Sequence, residues 1–273
     1  MSHIEYNNPE IIVRDMAVIT FTSDFGYADH YVAAVKARIL THDAKAHIVD
    51  ISHAVEPFNI PQAEYVLGSV FHEFPPGTVH LVGLDTHGSK QVQYHAALYK
   101  EHYFVMADNG LLSLLTDDKP DKVVEIATHG NIYSFPAKEL LAPAAVFLAK
   151  GGDIDILGEA TYNFRHLLNR QLRLNDHSIT GHVIHVDQFG NLVTNITRES
   201  IETISHGRTY TIHFGRETIA KILGNYNQAD DGDTCCIYNS LDQLCIGINK
   251  GNASQVLRLG FDSKIDVRFY PGG

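Results

Sequence analysis

Between Met16 and about Gly152 the apolar positions switch repeatedly between a period of two and a helical period. Ala17 to Thr22 is a β-branched and aromatic run that stops at Ser23-Asp24-Phe25-Gly26, which predicts a strand ending in a turn. Asp29 is then placed to cap a helix whose apolar positions are Tyr31, Val32, Val35, Ile39 and Leu40. Ala46 to Ile51 reads as the next strand. Asn59 caps a second helix with Ile60, Ala63, Val66, Leu67, Val70 and Phe71 along one face. Gly77 to Leu84 is a third strand that stops at Asp85. Ala96 to Tyr99 and His102 to Ala107 predict a hairpin around Lys100-Glu101. Lys122 to Ile126 adds a strand, and Ala137 to Lys150 a helix ended by Gly151-Gly152. This alternation predicts an α/β domain over 16–160, with a mainly parallel sheet covered by helices on both faces. Ligands of such sheets sit beyond the carboxyl ends of the strands, where Asp24, His53 and Asp85 fall.

The pattern then changes. Residues 161–177 are weakly patterned and read as a linker. From Ser178 short alternating segments follow one another: His182 to Val186, Leu192 to Ile196, Thr209 to His213, Thr234 to Tyr238, Leu244 to Ile248 and Ile265 to Phe269. Turn residues at Phe189-Gly190-Asn191 and Lys250-Gly251-Asn252 separate them. The spacing predicts a smaller all-β domain over 178–273.

Charge narrows the partners. Twenty-one Lys and Arg stand against 32 Asp and Glu, a formal net charge of -11 that repels phosphate backbones, and no basic cluster overrides it. No nucleic-acid partner is expected. No apolar run reaches the ~20 residues that span a bilayer, and the first residues lack a signal-peptide layout. A cytoplasmic protein with no membrane partner is the expectation. Cys235, Cys236 and Cys245, crowded into one stretch, fit small strand residues in a reducing compartment better than a disulfide framework.

Asp24, Asp85 and Asp108 stand at strand ends, where a carboxylate can grip a ribose diol or take a proton from water. The plainer reading is a turn cap, and for any one of them alone it is the stronger. Asp85 and His87 share an i, i+2 spacing that suits a metal, yet no HxH or HExxH set accompanies them. His42, His47, His72, His80, His102, His129, His166, His177 and His206 are expected to scatter over the surface. No GxGxxG, P-loop or GxSxG segment occurs. In the second domain Asn191 offers a donor and an acceptor to a purine edge. Tyr226, in a polar loop, suits either stacking on a base or anchoring that loop.

Six segments taken in order carry more than any one of them. They are Thr22-Ser-Asp-Phe-Gly-Tyr-Ala-Asp-His-Tyr-Val32, Val49-Asp-Ile-Ser-His53, Pro57-Phe58, Gly77-Thr-Val-His80, Asp108-Asn-Gly-Leu111 and Asp187-Gln-Phe-Gly-Asn-Leu-Val-Thr-Asn195. From about Val18 to about Phe269 the chain resembles the S-adenosylmethionine hydroxide adenosyltransferases, relatives of the fluorinase and chlorinase enzymes. The resemblance implies an α/β domain, a β domain, and a homotrimer with sites between neighbouring subunits. It implies that Asp24 grips the ribose hydroxyls and that Asp29 and Asp187 hold the methionine ammonium. It makes Phe58 a wall of the pocket, sets Asn191, Tyr226 and a backbone contact at Asn252 around adenine, and puts Ser240 at the methionine end. No cofactor is implied beyond S-adenosylmethionine itself, as substrate or ligand, and no metal.

The departures concern water. In the hydrolytic branch an Asp, a following Arg and a His from a Phe-His-Gly-Arg-Asp segment position and activate it. Asp85 keeps the first place. Gln91 to His95 contains no arginine, and Pro136 stands at the histidine position, with no side-chain donor or acceptor and no amide hydrogen. Ala137 stands where the halogenating branch has a serine. The expectation is therefore weak hydrolysis of S-adenosylmethionine to adenosine and methionine, with Asp85 as catalytic residue and His87 or His95 as a substitute from another direction. A non-catalytic protein that binds or senses an adenosine compound is the first alternative. A metal-dependent hydrolase using Asp85 and His87 is the second.

Overall fold

The computed structural model describes residues 17–87, 92–116 and 118–270, which fall into two compact units. The units are not consecutive blocks of chain. Unit 1 takes the residues up to Phe58, then Val70–Leu112 and Asp118–Arg165; unit 2 takes Asn59–Ser69, a short stretch from Ser113, and the chain from His166 onward.

Unit 1 is built on a seven-stranded sheet of β1 (Ile19–Ser23), β2 (Ile48–Ser52), β3 (Val79–Gly83), β4 (Tyr94–Tyr99), β5 (His102–Ala107), β6 (Lys122–Ile126) and β7 (Gly158–Ala160), in the order β2-β1-β3-β5-β4-β6-β7. The pairings from β2 to β5 are parallel. Those from β5 to β7 are antiparallel, so the mainly parallel sheet expected from the alternation extends over only half of it. The cause is the hairpin. Lys100 and Glu101, with φ of 48° and 62°, make a two-residue turn of the kind that forces neighbouring strands together.

Helices α1 (Tyr31–His42) and α4 (Ala142–Ala149) lie on one face, packing Val32, Val35, Ile39 and the buried apolar side of α4 against Ile19, Phe21, Val79, Leu81 and Val105. A single π turn, Ala137–Leu141, runs directly into α4. Asp29 does not cap α1, as the spacing suggested. His30 occupies that position and makes no side-chain bond to the helix, while Asp29 lies exposed in the bend before it.

The opposite face of this sheet carries Thr20, His80, His102 and Phe104. Phe71 and Phe74, in and after a 3-10 turn, pack their rings on His80, His102 and Phe104. His80 is fully buried and His102 nearly so, which corrects the expectation that both lie on the surface. Thr20 Oγ1 is 2.7 Å from His80 Nδ1, and His80 Nε2 is 3.1 Å from His102 Nδ1. Each ring nitrogen of His80 thus finds a partner, which is what makes a buried neutral imidazole tolerable. Burial, reinforced by His102, holds the His80 pKa down at about 3.

This predicts acid lability. Between the ordinary histidine value and about 3, the unfolded chain binds a proton that the folded one refuses, so stability falls with falling pH across that window. The loss is on the order of 3–5 kcal/mol for His80 once the window is crossed. Urea unfolding at pH 7.5 and pH 5 is expected to show a lower midpoint in acid, and His80→Phe to flatten the difference. A midpoint independent of pH would show that these rings do not resist protonation.

Unit 2 holds a nine-stranded sheet of β8 (Arg173–Asn175), β9 (Ser178–Val186), β10 (Leu192–Thr197), β11 (Tyr210–Phe214), β12 (Glu217–Ile219), β13 (Ile222–Leu223), β14 (Thr234–Tyr238), β15 (Gln243–Ile248) and β16 (Lys264–Phe269). The order is β12-β11-β16-β9-β10-β15-β14-β13, with β8 beside β9. β8 falls inside the stretch expected to be a linker. Helices also enter what was expected to be all β: α5 (Arg198–Ser205) and α6 (Ala253–Leu257). Thr197 and Ser200 form a reciprocal capping box at the start of α5, and Asn252 caps α6 by accepting from the Gln255 amide. α2 (Ile60–Gly68), capped as expected by Asn59, also belongs to this unit, and its Tyr65 stacks on His185 of β9 with ring centroids 4.3 Å apart. The remaining helix, α3 (Leu111–Leu115), is a single short turn after β5.

Candidate functional site

The first concentration of chemistry lies in unit 1, beyond the carboxyl ends of β1 and β3. A cavity of about 620 Å³ is lined there by Asp24, Phe25, His30, Tyr31, Phe58, Asp85, His87 and Phe135, among others. β1 ends at Ser23, and the loop that follows is braced from beneath. Ser23 Oγ lies 2.7 Å from Nδ1 of the fully buried His53, and the Gly26 amide donates to the His53 carbonyl at 2.8 Å. His53 Nε2 stands 3.1 Å from Asp50 Oδ1, but off the line of a hydrogen bond, and Asp50 pairs with Lys36. Burial keeps the imidazole below its ordinary pKa although Asp50 pulls the other way.

Asp24 emerges from this brace into the cavity. One carboxylate oxygen accepts the backbone N–H of Phe58 at 3.0 Å. Phe58 has φ of 66° and a side chain 70% exposed, so Asp24 fixes an aromatic that the core does not hold. Phe25 packs its ring on the backbone of Gly83, where a Cβ would approach Cζ to 2.9 Å, and meets Phe135 edge to face at 5.6 Å. A glycine ending β3 therefore makes room for the aromatic wall.

Asp85 follows β3 and faces the same cavity. Burial first, and then the negative charge of Asp24, push its carboxyl above the ordinary carboxylate range, while Arg165 and His87 pull it back. A carboxylate with a raised pKa is a better proton acceptor than a free one. Arg165 had no sequence signal, because it lies far along the chain in the weakly patterned stretch. Its backbone N–H donates to Asp108 Oδ1 at 2.8 Å, which anchors it at the carboxyl end of β5, next to β3. His95, the other proposed substitute, is buried beside Asp108, 3.9 Å away, and does not line the cavity. Pro136 is buried at the start of the π turn. Gln91, the first residue of the stretch without arginine, lies outside the described residues.

The second concentration lies in unit 2, where Phe189, Asn191, Tyr226, Ile248, Lys250, Gly251 and Asn252 line a cavity of about 570 Å³. The turn after β9 builds it. Both oxygens of Asp187 are committed to that turn, one accepting from the amides of Phe189 and Asn191 and the other from Asn191 Nδ2 at 2.8 Å. Asp187 thus orients Asn191 and is not itself among the lining residues. The Asn252 carboxamide lies on Gly190, where a Cβ would meet it at 2.2 Å. Gly247 gives way in the same manner to the Tyr226 ring, at 2.4 Å, and to Asn191 Oδ1, at 2.6 Å. Burial raises the Tyr226 phenol far above its ordinary pKa, so it stays a neutral donor.

The residues picked from the sequence thus separate into three groups. Asp24, Phe58 and Asp85 share the unit 1 cavity, and Asn191, Tyr226 and Asn252 share the unit 2 cavity. Asp29, Asp187 and Ser240 line neither: Asp29 is exposed, Asp187 is spent on its turn, and Ser240 is exposed in the turn between β14 and β15. Among the described residues no three His, Cys, Asp or Glu side chains group as metal ligands, so Asp85 and His87 have no third partner there. No helix is long and apolar enough to cross a membrane among those residues.

Comparison with known proteins accounts for both cavities' chain segments. Residues 19–158 match the SAM hydroxide adenosyltransferase N-terminal domain, and residues 181–266 its C-terminal domain. The chain is 30% identical to an (R)-S-adenosyl-L-methionine hydrolase of Methanocaldococcus jannaschii over 94% of its own length and 98% of the relative's. It is 25% identical to a fluorinase of Nocardia brasiliensis over 70% and 74% of the two chains. A crystal structure of an uncharacterized conserved protein from Thermotoga maritima superposes with a TM-score of 0.83 at 30% identity, covering 92% of this chain and all of that one.

Proposed function

Since the chain belongs to the SAM hydroxide adenosyltransferase family, we propose that it cleaves S-adenosyl-L-methionine by attack of water at the ribose C5′. The water oxygen becomes the 5′-hydroxyl of adenosine, the C5′–S bond breaks, and methionine leaves with the electron pair as a neutral thioether. The leaving group carries its positive charge into the reaction, so the protein has to supply only alignment and a proton acceptor. The observation that carries this reading is the pair of carboxylates in one cavity, Asp24 tied to Phe58 and Asp85 raised by burial. Asp24 then grips the ribose hydroxyls while Asp85 receives the proton. His87, on the same wall, and Arg165, whose charge reaches Asp85, take the place of the histidine and arginine that Pro136 and the 91–95 stretch do not provide.

The same reading assigns Asn191, Tyr226 and the Asn252 region to adenine. It leaves Asp29, Asp187 and Ser240 to the methionine end, Asp187 by way of the turn it holds. A ligand set divided between unit 1 and unit 2 agrees with the homotrimer, with sites between neighbouring subunits, that the family resemblance implies. Three buried free thiols support a reducing, cytoplasmic setting. The experiment is incubation with each sulfonium epimer in H₂¹⁸O, with chromatography and mass spectrometry of the products. Label in the adenosine 5′-hydroxyl is expected. Tight binding with no adenosine released would favour the sensing alternative, and light scattering that found a monomer with tight affinity for adenosine would refute the trimeric site.

Gly247→Ala tests the adenine assignment. The added methyl has to displace Tyr226 or Asn191, an overpacking change that costs about 1–3 kcal/mol. If those side chains hold adenine, the cost falls on adenosine affinity, measured by calorimetry, as well as on the melting temperature. Affinity unchanged in a destabilised protein would remove this cavity from the site.

A further inference from the structure

Asp85 sits in a backbone conformation that it does not choose for itself. Its φ is 43°, in the left-handed region. A non-glycine residue enters that region at an energetic cost and stays only where its surroundings fix it. Glycine would accept this turn more readily, yet the residue here carries a carboxylate that lines the cavity.

Two buried side chains do the fixing. Asn109, 3% exposed, donates from Nδ2 to the Leu84 carbonyl at 2.9 Å, which sets the plane of the peptide entering Asp85. Tyr94, also buried, donates its hydroxyl to the Thr86 carbonyl at 3.1 Å, on the other side of Asp85. Asn109 is itself held, because its Oδ1 accepts the Leu111 amide at 3.0 Å. The carbonyls flanking Asp85 are thereby bonded to side chains from β4 and from the end of β5, two strands that pair with each other along their whole length. The Asp85 carboxylate takes no part in these bonds and faces the cavity.

We infer that Asn109 and Tyr94 are positioning residues for Asp85, holding its left-handed turn so that the carboxylate meets the attacking water from a fixed direction. The inference rests on the hydrolytic reading above for what Asp85 does, but not for how it is held. Neither residue lines the cavity. Their hydrogen bonds act through the backbone, and a shift of about 1 Å at a reacting group can cost roughly 100-fold in rate.

Tyr94→Phe removes one hydroxyl and leaves the ring in the core, so it should fold; Asn109→Ala removes the other bond. Both are expected to lower kcat by about 10- to 100-fold with KM little changed, and to move the acid limb of the pH–rate profile. A second readout needs no turnover. Carbon-13 NMR of aspartate-labelled protein, with the Asp85 signal assigned by its loss in Asp85→Asn, should show the Asp85 titration midpoint shifted in both variants, because its distance to Asp24 changes. Wild-type kcat with an unmoved midpoint in Tyr94→Phe would overturn the inference. So would a fall in kcat with midpoint and acid limb unmoved, since that is the mark of general damage. If the wild-type protein releases no adenosine, the hydrolytic reading fails while the NMR titration still decides how Asp85 is held.

Discussion

Asp85→Asn is expected to slow adenosine release from S-adenosylmethionine by about 10²–10⁴-fold, the usual worth of a positioned proton acceptor, while affinity for the intact ligand stays nearly the same. The exchange preserves size and the left-handed backbone, since asparagine accepts positive φ more easily than aspartate. What it removes is the oxygen that takes the proton as water attacks. The pH profile gives the sign. Burial and Asp24 hold the Asp85 carboxyl above the ordinary carboxylate range, and only its ionised form accepts a proton. Wild-type kcat should therefore fall as pH drops through that raised value, and the variant should lose this limb. Chromatographic rates between pH 4 and 8 make the comparison. Brisk turnover that survives the substitution would mean that water is handled by another group, with His87 the first to examine.

Asp24→Ala should weaken adenosine binding more than any other single change in unit 1. Two charge-assisted hydrogen bonds to a ribose diol contribute about 1.5–3 kcal/mol each. The Phe58 amide also loses its acceptor, and with it the anchor of a side chain at positive φ. Asp24→Asn separates the two effects, because the amide oxygen still accepts from Phe58 while the charge is gone. Both variants remove the negative neighbour of Asp85, so the acid limb of any remaining activity should move to lower pH. Calorimetry with adenosine and with S-adenosylmethionine reads the first effect and the rate profile the second. Unchanged affinity for both ligands would take Asp24 out of the site.

Local signals were legible in the sequence wherever a residue acts on its near neighbours. Asn59 caps α2, Lys100 and Glu101 turn the hairpin, and Asp24 and Asp85 stand at strand ends facing one cavity. Effects that depend on residues far apart were not legible. His80 and His102 look like surface residues until β3 and β5 pair and bring their rings together with Thr20 on a buried face. Arg165 acquires meaning only because Asp108 anchors it beside the end of β3. The helices α5 and α6 carry weak sequence signals for a different reason. Both are short, and the α5 capping box uses serine where the common signal is Glu or Gln. Asp187 has a local role that its motif does not announce: its oxygens accept from the Phe189 and Asn191 amides and from Asn191 Nδ2, so it shapes the turn that presents Asn191.

The π turn before α4 has a consequence for how such a pocket changes over time. A π turn is one residue more than a regular helix would need, so it sets the residues ahead of it out of phase with those behind by about 100°, one residue's rotation. Ser134 and Phe135, ahead of the turn, line the unit 1 cavity, whereas Ala142 to Ala149, behind it, are locked against the sheet. A one-residue deletion within Ala137–Leu141 is therefore expected to turn the wall at Phe135 relative to α4, a change that point substitution in the packed α4 does not offer.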